Sequence, residues 1–298
     1  MTGLGALIRR NVKLFFHDKG MFFTSLITPL ILLVLYGTFL AGIYRDSFTS
    51  ALPAFFSVEE SLIDATVGGQ LVSSLLAVSC VTVAFCSTLL MVQDKVSGAR
   101  RDLTVSPVRR STLAVGYFCA SALTTLIVSV TAYAVCLAYL GRMGWYLSAA
   151  DVLALLLDVV LLTLFGVALS SCVNFFLSTS GQASAVGTIV SAGYGFLCGA
   201  YMPISNFSEG LQKALSFLPG TYGTSLLRNH ALRGVYAELR AAGFPDEAVE
   251  MIRDSIDCNL YFYGEKVSVP AMYLILIAAV AVLTALYVLL NVLSTKRR

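Results

Sequence analysis

Histidine is almost missing from this chain of 298 residues, which has only two, His17 and His230. A serine hydrolase acting inside a membrane needs a Ser–His pair at depth. Neither histidine falls in an apolar run. A metal enzyme needs a cluster of His and carboxylate ligands, and the sequence offers none. The seven cysteines include no CxxC: Cys80, Cys86, Cys119, Cys136, Cys172 and Cys198 sit in apolar stretches, and only Cys258 lies in a long loop. Scattered apolar cysteines behave as small core residues, so neither a disulfide framework nor a metal site is expected. No Lys follows a Gly. The phosphate-cradling GxxxxGK[ST] loop is therefore absent, and this chain is not expected to bind or hydrolyse ATP. Residues 1–149 and 150–298 also lack a clear internal repeat, the usual mark of a secondary carrier.

Charge is equally scarce. The chain is 12% charged and 57% hydrophobic, against about 25% and about 45–50% in soluble domains. This is the composition of an integral membrane protein. A helix needs about 20 apolar residues to cross a bilayer core. Six stretches qualify, near 22–44, 66–92, 111–140, 150–174, 183–203 and 270–293. Such continuous runs fit helices, because lipid leaves the backbone to satisfy itself. The expected fold is all-α, with six spans in one transmembrane domain. Residues 1–21 read as an interfacial helix. Leu4, Leu7, Ile8, Leu14 and Phe15 can share its apolar face while Arg9, Arg10, Lys13 and Lys19 reach toward head groups. Spans one to five occupy 22–203, an outer region 204–268, and span six with a basic tail 269–298.

Orientation follows from the bases. With the N-terminus in the cytosol, the basic segments 9–19, 95–110 and 296–298 all fall inside, and the acidic excess falls in the long outer loop. Both termini are then cytosolic. The tail Lys296-Arg297-Arg298 also suits contact with anionic membrane lipid.

The densest basic stretch is QDKVSGARRDLTVSPVRR, residues 93–110. Residues 94–103 can form a short helix that Ser106-Pro107 breaks. Mixed acids and bases on a tight connection make a poor filler of a nucleic-acid groove and a good peg for a protein socket. A plain positive-inside anchor is the other reading.

Placed between spans two and three, this hairpin resembles the loop of permeases of the ABC-2 type exporter family, the membrane subunits of type V-like ABC exporters. The matching positions are Asp94, Gly98, Arg100, Arg101, Asp102 and Pro107, with Lys95 beside them. Asp94 stands where the family carries Glu. The second matching stretch is FLCGAYMPISNFSEGLQKALSFLPGTYGTSLLR, 196–228. The resemblance implies that 93–107 is a coupling helix docking on a separate cytosolic ATP-binding subunit, which holds ATP and Mg. It implies short re-entrant helices between spans five and six, with Met202, Pro203, Phe207 and Pro219 at an outer gate. It also implies a second permease copy, or a homologous permease, and a pathway beside spans two and five, where Thr82, Phe85, Tyr194 and Phe196 lie. The loop 204–268 is longer than a re-entrant turn alone requires.

The residues of the second stretch read similarly by themselves. Ser208 and Glu209 can start a helix, Leu211, Leu215 and Leu218 can share a face, and Pro219-Gly220 can end it. GFPDEAVEMIRDSID, from 243, reads as a further small helix. Asp158 is the one acid well inside a span. A carboxylate there is costly unless paired, protonated or wetted. It is either a cation or proton contact on the pathway or a hydroxyl-bonded packing residue. The reading as a whole is a permease subunit of an ATP-driven exporter of an amphiphile in the cell membrane. An ion-coupled carrier or channel without an ATPase is the alternative.

Overall fold

The computed structural model describes residues 2–35, 38, 41, 42, 45, 59–105 and 108–293. Helices α1 (Thr2–His17) and α2 (Lys19–Leu35) are followed by α3 (Glu60–Val96), α4 (Ala99–Val105), α5 (Arg110–Met143), α6 (Ala149–Phe176) and α7 (Ser180–Leu197). A 3-10 turn (Ile204–Asn206) leads to α8 (Glu209–Leu215), α9 (Pro219–Ala231), α10 (Arg233–Ala241) and α11 (Asp246–Ser255). A two-stranded hairpin, β1 (Tyr261–Phe262) and β2 (Glu265–Lys266), precedes α12 (Val269–Leu293).

Four described helices are long and apolar enough to cross a membrane: α3, α5, α6 and α12. The stretch expected as a fifth span forms α7, which starts earlier than predicted, stops at Leu197 and is not among the helices that meet this measure. Its 18 residues reach about 27 Å. The first expected span begins as α2, bent by 72° from α1; most of 36–58 lies outside the described residues, as do Ser106, Pro107 and the tail 294–298.

Local signals set the ends. At α6, Ser148 and Asp151 form a capping box, with Asp151 N–H donating to Ser148 Oγ at 3.2 Å and Ser148 N–H donating back to Asp151 Oδ2 at 3.1 Å. Pro219 opens α9 at a first-turn position, where its missing N–H costs nothing. The amphipathic α1 packs Leu7, Asn11 and Phe15, one turn apart, against the rest of the chain and leaves Leu14 38% exposed. Leu211 and Leu218 are likewise exposed, and only Leu215 of that trio is buried.

Helix α3 is the axis of the bundle. Leu76, Ala77, Val78, Cys80, Val81, Val83 and Ala84 are fully buried, and α2, α5, α6, α7 and α9 all pack on it. The alternating directions of α3, α5, α6, α7 and α12 give two ends. One is basic and carries α1 and α4. The other carries the cap, 204–268. There Leu62 and Ile63 of α3 join Leu232, Val235, Leu239, Val249 and Ile252 in a small second core.

The loop region is more built than a turn. Helix α9 is buried along its whole length from Gly220, although it carries Thr221, Thr224, Ser225, Arg228, Asn229 and His230. Gly223 lets it close on α6: a Cβ there would meet Leu162 Cδ1 at 2.6 Å. At Gly234 a Cβ would fall 1.7 Å from the Tyr146 carbonyl oxygen, a backbone atom that cannot swing aside. Gly234→Ala is expected to cost about 1–3 kcal/mol through overpacking and to lower the midpoint of thermal unfolding in detergent. Gly210→Ala, with no neighbour within 4 Å, should not lower it.

Candidate functional site

The basic hairpin is two pieces. A single short helix over 94–103 is not what forms. Asp94 and Lys95 belong to the last turn of α3, the chain breaks at Ser97-Gly98, and α4 starts at Ala99. Gly98 sits at φ +84, a left-handed conformation that ends an α-helix and suits glycine.

Asp94 does not face outward. Its carboxylate takes a two-pronged bond from Arg10, Nη1 to Oδ2 at 2.8 Å and Nη2 to Oδ1 at 3.1 Å. Tyr117 Oη–H donates to the same carboxylate. The clamp ties α1, α3 and α5 together. Lys95 also turns inward. Its Nζ donates to the carbonyl oxygens of Asn174 at 3.2 Å, Phe175, and Leu177 at 2.8 Å. It thus satisfies carbonyls that the end of α6 leaves open, and its charge suits the negative end of that helix. What remains for the surface is α4, which has no buried residue. Arg101 and Asp102 are exposed and Arg100 is half-buried. Val105 is 88% exposed and Val96 50%. Leu103 packs inward against the cluster of Leu7, Leu113 and Tyr117.

At the cap end, Arg228 is fully buried. Its Nη1 faces Asp257 Oδ2 at 3.5 Å, and its Nη2 donates to the Gly199 carbonyl and to Ser74 Oγ at 3.4 Å. Asp257 in turn accepts the backbone N–H groups of Ile204 and, at 3.4 Å, Ser205. Burial pushes its carboxyl up, against the downward pull of Arg228 and those amides. The pair therefore pins the turn that follows Pro203. Pro203 is buried, Met202, Phe207 and Pro219 are half-buried, and Gln212 Nε2 donates to the Phe207 carbonyl at 2.7 Å. A cavity of about 150 Å³ opens beside them between Ser205, Gln212, Thr221 and Asn259. Farther out, Glu250 gathers Lys266, Asn259 and Arg253; the bond from Lys266 leads in holding its carboxyl down to about 2.

A family profile described as ABC-2 family transporter protein matches residues 49–287. The chain belongs to this family. It is an ABC-type permease, a multi-pass membrane component of a transport system. Among curated proteins, none matches its sequence.

The permease keeps its expected pathway residues in different places. Thr82 and Phe85 are 2% and 5% exposed, sealed in the core of one chain. Thr82 Oγ1 donates to its own helix, at the Val78 carbonyl, 3.0 Å away. Tyr194 is buried. Phe196 is 50% exposed and meets Tyr201 edge-on at 5.0 Å. The open surface of this region is the outer side of α7, where Gly181, Gln182, Ser184, Ala185, Thr188, Ile189 and Ala192 are exposed and Gly187 is half-buried.

Asp158 acquires partners that its sequence position did not disclose. His230 Nδ1 lies 2.6 Å from Oδ2, and Tyr273 Oη–H donates to Oδ1 at 2.6 Å. His230, expected in a loop, is buried with α9. A sequence signal did exist: RNHA is too polar for a span yet lies in an otherwise small and apolar segment.

The Arg10–Asp94 clamp predicts coupling between the two residues. Arg10→Gln and Asp94→Asn should each lower thermal stability in detergent, and the double variant should cost less than the two singles added. The interaction energy expected from such a double-mutant cycle is about 1 kcal/mol, within the range for contacting residues.

Proposed function

We propose that this permease is the membrane subunit of an ATP-driven exporter, which moves an amphiphile out across the cell membrane. Its energy comes from a separate cytosolic subunit that binds ATP and Mg. Both termini lie in the cytosol, so the basic end with α4 faces that subunit. One observation carries the reading. Helix α4 leaves the bundle at the Gly98 joint with Arg101, Asp102 and Val105 exposed and Leu103 seated on the cluster of Leu7, Leu113 and Tyr117, while the residues at its root are bonded to α1, α5 and α6. A partner pressing on Arg100, Arg101, Asp102 and Val105 would move three helices through Asp94 and Lys95. Both signs of charge on α4, Arg100 and Arg101 beside Asp102, favour one register of docking over general adhesion.

The second permease copy belongs on the open side of α7. Small residues permit close approach of helices in lipid, and a hydroxyl and amide face suits a partner helix or a polar substrate better than acyl chains. Gly181, Gly187 and Gly193 have no neighbour within 4 Å of a built Cβ. Phe196 would stand at the edge of the pathway between the copies. Met202, Pro203, Phe207 and Pro219 would close its outer end. Thr82 and Phe85 would support the pathway from behind α7 rather than touch the substrate.

Mild extraction of the tagged chain, mass spectrometry of what accompanies it and an ATPase assay test this directly. A P-loop ATPase should copurify. The joint variant Arg100→Glu, Arg101→Glu should lose most of it while the permease keeps its thermal midpoint. An ATPase still bound and driving export in that variant would sink the coupling role of α4. A self-sufficient oligomer with no ATPase would instead indicate a carrier or channel.

A further inference from the structure

Asp158 stands nine residues into α6, about 14 Å along the helix from its start. It is the only Asp or Glu between Asp151 and the end of α6. Its side chain is 1% exposed and that of His230 10%. The carboxylate's two oxygens are each taken, one by His230 of α9 and one by Tyr273 of α12, both at 2.6 Å. Three elements thus converge on one titratable group.

The charge states of this cluster are unequal in cost. With an ionised Asp158 and a neutral His230, one net negative charge sits inside a membrane-spanning bundle. With one proton shared between them, as imidazolium and carboxylate or as imidazole and carboxylic acid, the net charge is zero. An uncompensated buried charge costs several kcal/mol. The other charged groups of the packed elements are engaged elsewhere. Arg228, two residues along α9, is directed to Asp257, Gly199 and Ser74. Arg233 is bonded to Asp151. Helix α3, which also packs on α9, has no charged residue between Asp64 and Asp94. From α12 only Tyr273 arrives among the described residues.

We propose that Asp158, His230 and Tyr273 form a proton-binding latch, in which one proton shared by Asp158 and His230 holds the buried helix α9 in its seat against α6 and α12. Loss of that proton to water, by way of the more exposed His230, leaves an unpaired carboxylate and loosens α9. The latch is thus firm at low pH and weak at high pH. It requires neither the ATPase partner nor a particular substrate, so it stands or falls apart from the export reading.

Hydrogen exchange of residues 219–231, measured by mass spectrometry on the permease in lipid nanodiscs with the subunits that copurify, tests it. Rates are corrected for the intrinsic effect of pH on amide exchange. Between about pH 5 and about pH 8, the interval in which histidines change charge, corrected protection of 219–231 should fall by about tenfold in the native chain. In Asp158→Asn and in His230→Gln the corrected profile should be flat. If Asp158→Asn does not fold, the native profile and His230→Gln decide. The segment around Glu250 is a built-in control, since the bond from Lys266 holds that carboxyl down to about 2 and keeps it ionised throughout. A native profile flat with pH, or the same slope in the variants, would overturn the latch.

Discussion

A polar helix buried in an apolar bundle is the constraint on which this architecture turns. Helix α9 carries Arg228, Asn229, His230 and four hydroxyl-bearing residues into a buried setting, where an unmatched polar group costs several kcal/mol. Each of its larger side chains has therefore recruited a partner from elsewhere. Arg228 meets Asp257 and Ser74. Asn229 Nδ2 donates to the Cys258 carbonyl, and Ser225 Oγ does the same at 2.9 Å. His230 meets Asp158. These partners lie on α3, on α6 and in the segment after α11. Satisfying one helix thus fixes where three other segments sit, and the glycines at 220 and 223 supply the close approach that such short bonds need.

The two ends of the bundle solve different problems. At the cap end, charges are paired within the chain, and the small core around Leu232 and Leu239 closes over them. At the basic end, pairing stops short of the tip. Asp94 and Lys95 are consumed internally, and most of what lies beyond Gly98 is left to solvent. The same division appears along α3: its middle is sealed by neighbours, and its last turn passes from packing to bonding.

Much of this was legible in the sequence. The long apolar runs placed α5, α6 and α12 to within about three residues and α3 to within about six, because uninterrupted hydrophobicity over a bilayer's width is rare outside spanning helices. The charged hairpin also stood out. What composition could not convey was pairing. Asp94 looked like a surface acid because its neighbours in sequence are bases, yet its partner Arg10 is 84 residues away. His230 looked like a loop residue because its segment is too polar to span, and only the fold reveals that a non-spanning helix can still be buried. Asp158 was recognised as costly, but its relief came from two residues 72 and 115 positions off. Thr82 illustrates a related point: hydroxyls in an apolar helix look alike in sequence whether they face a channel or bond their own backbone, as Thr82 does.

Gly98 has one more consequence. The Cβ it lacks would meet nothing within 4 Å, so the joint between α3 and α4 has no steric neighbour on that side. On its other side α4 is held by Leu103 against Leu7, Leu113 and Tyr117, so the short link at Gly98 joins an exposed tip to a root fixed by the bonds of Asp94 and Lys95. The joint separates two kinds of selection. Residues before it answer to the bundle's packing, and residues after it answer to whatever surface they meet. The tip of the hairpin is accordingly the part of this chain that can diverge in step with a partner while the permease body stays as it is.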